Sequence, residues 1–242
     1  MGLTQRSAFV VFGLLGGIVT AAPAAADLLL VQDASFQVDS GLQILNNGVP
    51  TSDEHSQSGD QNNNPFNANV AAEASIPGQL TLNSSAQLGA NWGASNIGAG
   101  GGADFTSSDQ LSSGQFVSLS TNSTLSITFQ VQTDATYELI GQISSSFNSS
   151  ASSEMSLINF DTSAVLHDVT SEVPFSFSGT LSAGVNYQLE ARANVFLDTY
   201  PGFLENLEAQ FNFNMELTAV PAPGAFGLFL LSGIMGRPKR RR

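Results

Sequence analysis

The chain has 242 residues, a formal net charge of −13 and no cysteine. Seven residues are basic: Arg6, Arg192 and five from Arg237 onward, whereas all twenty carboxylates lie between Asp27 and Glu216. Between residues 27 and 219, one arginine therefore faces twenty carboxylates, a net charge of −19. Such a field repels nucleic acid, anionic lipid and acidic polysaccharide, and it excludes a nucleic-acid-binding role. The missing cysteines exclude a lipoprotein and a disulfide framework.

Residues 1–26 read as a secretory signal peptide. Arg6 supplies the positive start, Ala8 to Val19 the apolar stretch, and Ala24-Ala25-Ala26 a small-residue cleavage site before Asp27. Residues 27–219 then form one exported domain.

This domain reads as strands. Phe36, Val38, Leu42 and Ile44 share one phase and Gln37, Asp39 and Gln43 the other, with a break expected at Asp39-Ser40-Gly41. Asn47-Gly48 and Pro50 mark a turn. Residues 51–69 are Ser, Asn, Gln, Asp and Gly in the main, and read as a long mobile loop. Leu80, Leu82, Leu88, Ala90 and Trp92 share a phase, and residues 98–115 follow as a flexible Gly-rich connection. Leu125, Ile127, Phe129 and Val131 alternate with polar residues. Met155 and Leu157 hold one phase and Ile158 and Phe160 the other, a slip that a β-bulge explains. Pro174 points to an edge strand or a bulge. The clearest alternation runs from Val185 to Leu197 and from Leu207 to Leu217. No sustained helical period occurs. The expected fold is all-β: an antiparallel β-sandwich, jelly-roll-like, between the signal peptide and a short C-terminal transmembrane helix.

Catalytic signatures are sparse. His55 and His167 have no paired-His spacing, no G-x-S-x-G elbow occurs, and Gly98 to Ala103 matches G-x-G-x-x-A without a βαβ context. We therefore expect no enzyme, no catalytic residue and no cofactor. Asp53, Glu54 and Asp60 offer a weak Ca²⁺ site, although a solvated loop is the simpler reading. Asn83, Asn122 and Asn148 begin N-x-[ST] triplets, which mean little alone. Trp92, Tyr200 and Phe203 are speculative glycan-stacking residues, with Trp92 read first as core. Arg192 is either a reader of anionic groups or, more simply, an ion-pair partner.

The last stretch, residues 220–242, has three parts in fixed order. Val220-Pro221-Ala222-Pro223 comes first, then an apolar run from 225 to 235, then Arg237, Lys239, Arg240, Arg241 and Arg242 within a basic end at 237–242. The prolines stop the preceding strand. As a helix, residues 224–236 rise about 20 Å, short of a hydrocarbon core of about 30 Å. The basic end would stay cytoplasmic. This order resembles the PEP-CTERM sorting signal, whose usual Glu is here Ala222. The resemblance implies signal peptidase and exosortase as processing partners, and a membrane held only through the tail until cleavage. It implies an exported protein of the bacterial envelope, surface or extracellular matrix. The expected role is structural or adhesive, in biofilm or exopolysaccharide. Two alternatives stand beside it: a surface carbohydrate-binding module, and a periplasm-facing protein kept by a C-terminal anchor.

Overall fold

The computed structural model describes residues 27–146, 150–170, 173–199 and 204–221. The signal peptide through Ala26 and the tail from Ala222, with its apolar run and basic end, lie outside the described residues. So do Asn148, Tyr200 and Phe203.

Twelve strands run in chain order: β1 Leu29–Asn46, β2 Val49–Asp60, β3 Phe66–Ile76, β4 Leu80–Trp92, β5 Asn96–Ser107, β6 Gln115–Val131, β7 Ala135–Ser145, β8 Ala151–Asn159, β9 Ala164–Val169, β10 Pro174–Leu181, β11 Asn186–Thr199 and β12 Leu207–Ala219. They form two antiparallel six-stranded sheets. One, sheet A, has the order β2-β1-β6-β11-β8-β9, and the other, sheet B, has the order β10-β7-β12-β5-β4-β3. The fold is a β-sandwich. Alternation decides which residues face inward: on β6, Val117, Leu119, Leu125, Ile127, Phe129 and Val131 are buried, and in the other sheet Leu207, Ala209, Phe211, Phe213, Met215 and Leu217 of β12 are buried in the same core.

The middle of the interior is narrow and partly polar. Ser40 Oγ of β1 lies 2.6 Å from Ser84 Oγ of β4. Ser123 Oγ of β6 donates to the Gln87 carbonyl of β4 at 2.9 Å. Ser153 Oγ of β8 donates to the Ser144 carbonyl of β7 at 2.6 Å. Each bond joins one sheet to the other. Gly101 of β5 sits here, where an added Cβ would lie only 2.4 Å from Ser123 Oγ and 2.6 Å from the Phe211 ring. Bulk returns toward the ends. Phe36 stacks on Phe66 at 4.8 Å and on Trp92 at 5.8 Å, and Phe129 meets Tyr187 at 5.8 Å.

Several expectations needed correction. Asp39-Ser40-Gly41 does not break β1, because Ser40 is buried and bonded across the sandwich. The expected loop at 51–69 is occupied by β2 and the start of β3. The edge strand β2 pairs with β1 from Asn46↔Val49 to Ser35↔Asp60 and has almost every side chain in solvent. A strand held mainly by its backbone pairing needs no apolar alternation, so none was visible. The Gly-rich stretch expected within 98–115 as a connection runs inside β5 as far as Ser107, hydrogen-bonded to β4 and β12 on either side. Glycine costs a strand stability but leaves its ladder intact.

Other readings match the structure. Asn47 and Gly48 take φ of 50° and 81°, the two left-handed positions of a two-residue hairpin. The expected bulge is found in part: the β8–β9 register shifts after Leu157, but the extra residue, Leu166, is on β9, while β8 keeps its register against β11 and Phe160 is exposed rather than turned inward. Pro174 begins the edge strand β10.

The interior also separates two neighbouring glycines. An alanine at Gly100 would make ordinary contacts of 3.5 Å or more. Gly101→Ala should cost about 1–3 kcal/mol by overpacking. Gly100→Ala should be neutral or stabilising by up to about 1 kcal/mol. Urea unfolding midpoints at constant slope check the pair, and equal losses for both would refute the narrow-centre account.

Candidate binding face

The outward positions of sheet A form two aligned rows. Register places Ser58 opposite Gln37, Gln37 opposite Thr124, Thr124 opposite Arg192, and Arg192 opposite Glu154. The second row runs Asp60, Ser35, Ser126, Glu190, Ser156, Asp168. A hollow of about 540 Å³ lies over these rows and is lined by residues of all six strands, from Ser58 and Gly59 of β2 to Asp168 of β9. A hollow of that breadth means that the solvent side of the sheet is dished. Short hydroxyls from β1, β6 and β8 make its floor. Gln37, Arg192 and three carboxylates, Glu154, Glu190 and Asp168, stand higher.

Arg192 Nη1 lies 3.9 Å from Glu154 Oε1, with both side chains about half exposed at 55%. Such a pair adds little to stability, and it keeps the guanidinium in the hollow rather than fixing the fold. Beside it, Gln188 donates to Ser126 Oγ at 2.9 Å. Along the sheet, Gln37 and Asn122 both donate to Asp39 Oδ2 at 2.7 Å. The face is thus a lattice of hydroxyls and carboxamides that already bind one another, with spare donor and acceptor positions toward solvent.

The remaining titratable groups sit elsewhere. At one side of the sandwich, Asp53 of β2 accepts from the Glu73 backbone N–H of β3 at 3.1 Å and pairs with His55 at 3.2 Å. The Glu73 N–H, and after it His55, holds the Asp53 carboxyl below its ordinary value. At the other side, Tyr137 Oη of β7 lies 2.5 Å from His167 Nε2 of β9, and the imidazole stacks on Phe177 of β10 at 4.1 Å. Burial lowers the His167 pKa and raises that of Tyr137. On sheet B, Asp104 of β5 faces Glu208 of β12 directly, and desolvation followed by that neighbouring charge raises its pKa.

The sequence-derived site residues are dispersed. Trp92 ends β4, stacked on Phe36 at an interplanar angle of 17° and partly buried against the core. One face of its ring is therefore already occupied. The Ca²⁺ grouping of Asp53, Glu54 and Asp60 does not assemble. All three lie on the extended strand β2. Asp53 and Asp60 are seven residues apart on it, about 23 Å at strand rise, and the adjacent Asp53 and Glu54 point to opposite sides. Asp27, Val220 and Pro221 are exposed where the described chain begins and ends. Arg192, singled out as the lone Lys or Arg of residues 27–219, does reach the hollow. Its companions were not foreseen, because Ser58, Ser35, Thr124, Ser156 and Asp168 meet only through strand register. The chain matches no protein-family model, and no curated protein matches it.

Two pH responses follow. A carboxyl raised in the fold is penalised when charged, so Asp104 costs stability at neutral pH and stops doing so as pH falls toward 3.8. Asp104→Asn should therefore raise the unfolding midpoint at pH 7, with the gain vanishing near pH 4; an undiminished gain in acid would contradict it. His167 has the opposite sign. Its folded pKa lies below 6.5, so its contribution is complete above 6.5 and is lost as pH falls through the folded value. His167→Gln keeps an acceptor for Tyr137 without titrating. Its midpoint should fall less than that of the unmodified chain from pH 6.5 toward 5, as read by thermal unfolding.

Proposed function

We propose that this is an exported, non-catalytic protein of the bacterial cell surface or extracellular matrix, sorted by exosortase through its PEP-CTERM-like tail. Its role is structural or adhesive, and its point of attachment to exopolysaccharide is the dished face of sheet A. The observation that carries this reading is the hollow of about 540 Å³, whose polar lining is five hydroxyl side chains, Gln37, the carboxylates Glu154, Asp168 and Glu190, and Arg192. Polyhydroxylated chains are bound by such groups, because each sugar hydroxyl both donates and accepts. The long antiparallel pairings of β1 with β6 and β5 with β12 suit a jelly-roll-like winding, which sets one broad sheet face toward solvent. That part of the reading is fold-level analogy. The carbohydrate-binding alternative thus becomes the means of the adhesive role, and moves from the aromatic trio Trp92, Tyr200 and Phe203 to the polar rows.

Intact mass of the protein from its native host, taken from membrane and extracellular fractions, tests the sorting. An extracellular form beginning at Asp27 and ending near Pro223 is expected. A membrane form that retains Arg242 would instead support the periplasm-facing, anchored alternative. The face is tested by retention on the host's own exopolysaccharide. Ser156→Gln, which fills the floor between Glu190 and Asp168, should weaken retention at least tenfold, about 1.4 kcal/mol. Unchanged retention would remove sheet A from the reading.

A further inference from the structure

We propose that the chain bound across sheet A is a cationic polysaccharide, one whose sugars carry free amines, lying perpendicular to the strands. The inference rests on the reading of this face as a glycan site and specifies the ligand.

The charges of the hollow are not equivalent. The ion pairs among the described residues are His55–Asp53 and Arg192–Glu154. Arg192 therefore neutralises Glu154 in the first row. Glu190 and Asp168, in the second row, are exposed and without an ion-pair partner among the described residues. They stand on either side of Ser156, two strand spacings apart, about 10 Å. Among the described residues they belong to no group of three or more carboxylates or imidazoles placed to hold a metal ion. They can each receive one ammonium from a ligand that repeats its positive charge along an extended chain.

The shape points the same way. From Asp60 on β2 to Asp168 on β9 the second row crosses five strand spacings, about 24 Å. That is the length of an oligomer, not of a single sugar. Ser156 lies between the carboxylates and Ser126 on the far side of Glu190, and both offer hydroxyls to the unmodified positions of the same chain. The field of the whole domain favours the same sign of ligand: a net charge of −19 concentrates polycations and excludes uronic-acid polymers.

Calorimetric titration of the full chain with three hexamers decides the matter: glucosamine, N-acetylglucosamine and a uronic acid. Titrations are run where the amines are protonated and the carboxylates ionised. Two charge-matched variants accompany them, Glu190→Gln/Asp168→Asn in the hollow and Glu138→Gln/Glu216→Gln on the outer face of sheet B, where those two residues face each other. The glucosamine hexamer should bind at least tenfold more tightly than the N-acetylated one, and the uronic hexamer should not bind. The hollow variant should lose at least tenfold and the sheet B variant should lose nothing. Equal binding of the amine and N-acetyl hexamers at the hollow would overturn the cationic ligand while leaving the glycan site standing. Equal losses in the two variants would reduce the effect to diffuse charge attraction and overturn the site-specific claim. Binding of neither sugar would defeat the glycan site, and this inference with it.

Discussion

The distance between the two sheets in the middle of the sandwich governs much else in the molecule. Ser40 with Ser84, Ser123 with the Gln87 carbonyl, and Gly101 against the Phe211 ring fix that distance. A hydroxyl buried without a partner costs roughly 1–3 kcal/mol, so each serine tolerates only the spacing at which its bond forms. Apolar contact alone is less demanding, since it accepts many arrangements of similar area. With the middle drawn together and aromatic residues filling the ends, sheet A cannot be flat. The dish on its outer side is consistent with a narrow waist on its inner side.

A sandwich has four edge strands, and each here carries a feature that opposes pairing with another chain. On β2 these are Pro50, Asp53 and Glu54. On β3 the Glu73 N–H is taken by Asp53. The short β9 carries a bulge at Leu166, and β10 begins with Pro174. Such features keep open sheets from adding further strands. The two sides are also tied across, by Asp53 between β2 and β3 and by Tyr137, His167 and Phe177 between β7, β9 and β10. The chain joins its sheets at the sides with polar and aromatic contacts, without cysteine.

The fold class was legible because β1, β6, β11 and β12 each bury one face and wet the other, and period-two alternation reports that arrangement directly. It failed for β2 and β5. In β2 neither face is buried, and in β5 glycine removes the side chains that would have carried a pattern. The serines at 40, 84 and 123 looked like surface or turn residues because composition does not show a partner in the other sheet. The candidate binding face was hidden for a related reason. Ser35, Thr124, Glu154 and Arg192 are far apart in sequence, and only the registers of three strand pairs bring them into rows. Arg192 could be noticed because it is the one cation of residues 27–219, a property of composition.

The exposed character of β2 has a consequence for motion. Its side chains bury almost nothing, so releasing it from β1 sacrifices backbone hydrogen bonds and the Asp53 bond to β3 but little hydrophobic contact. Segments of that kind open at free energies well below that of global unfolding. Because Ser58 and Gly59 form one rim of the hollow, such an opening widens the hollow at that end while the core stays closed.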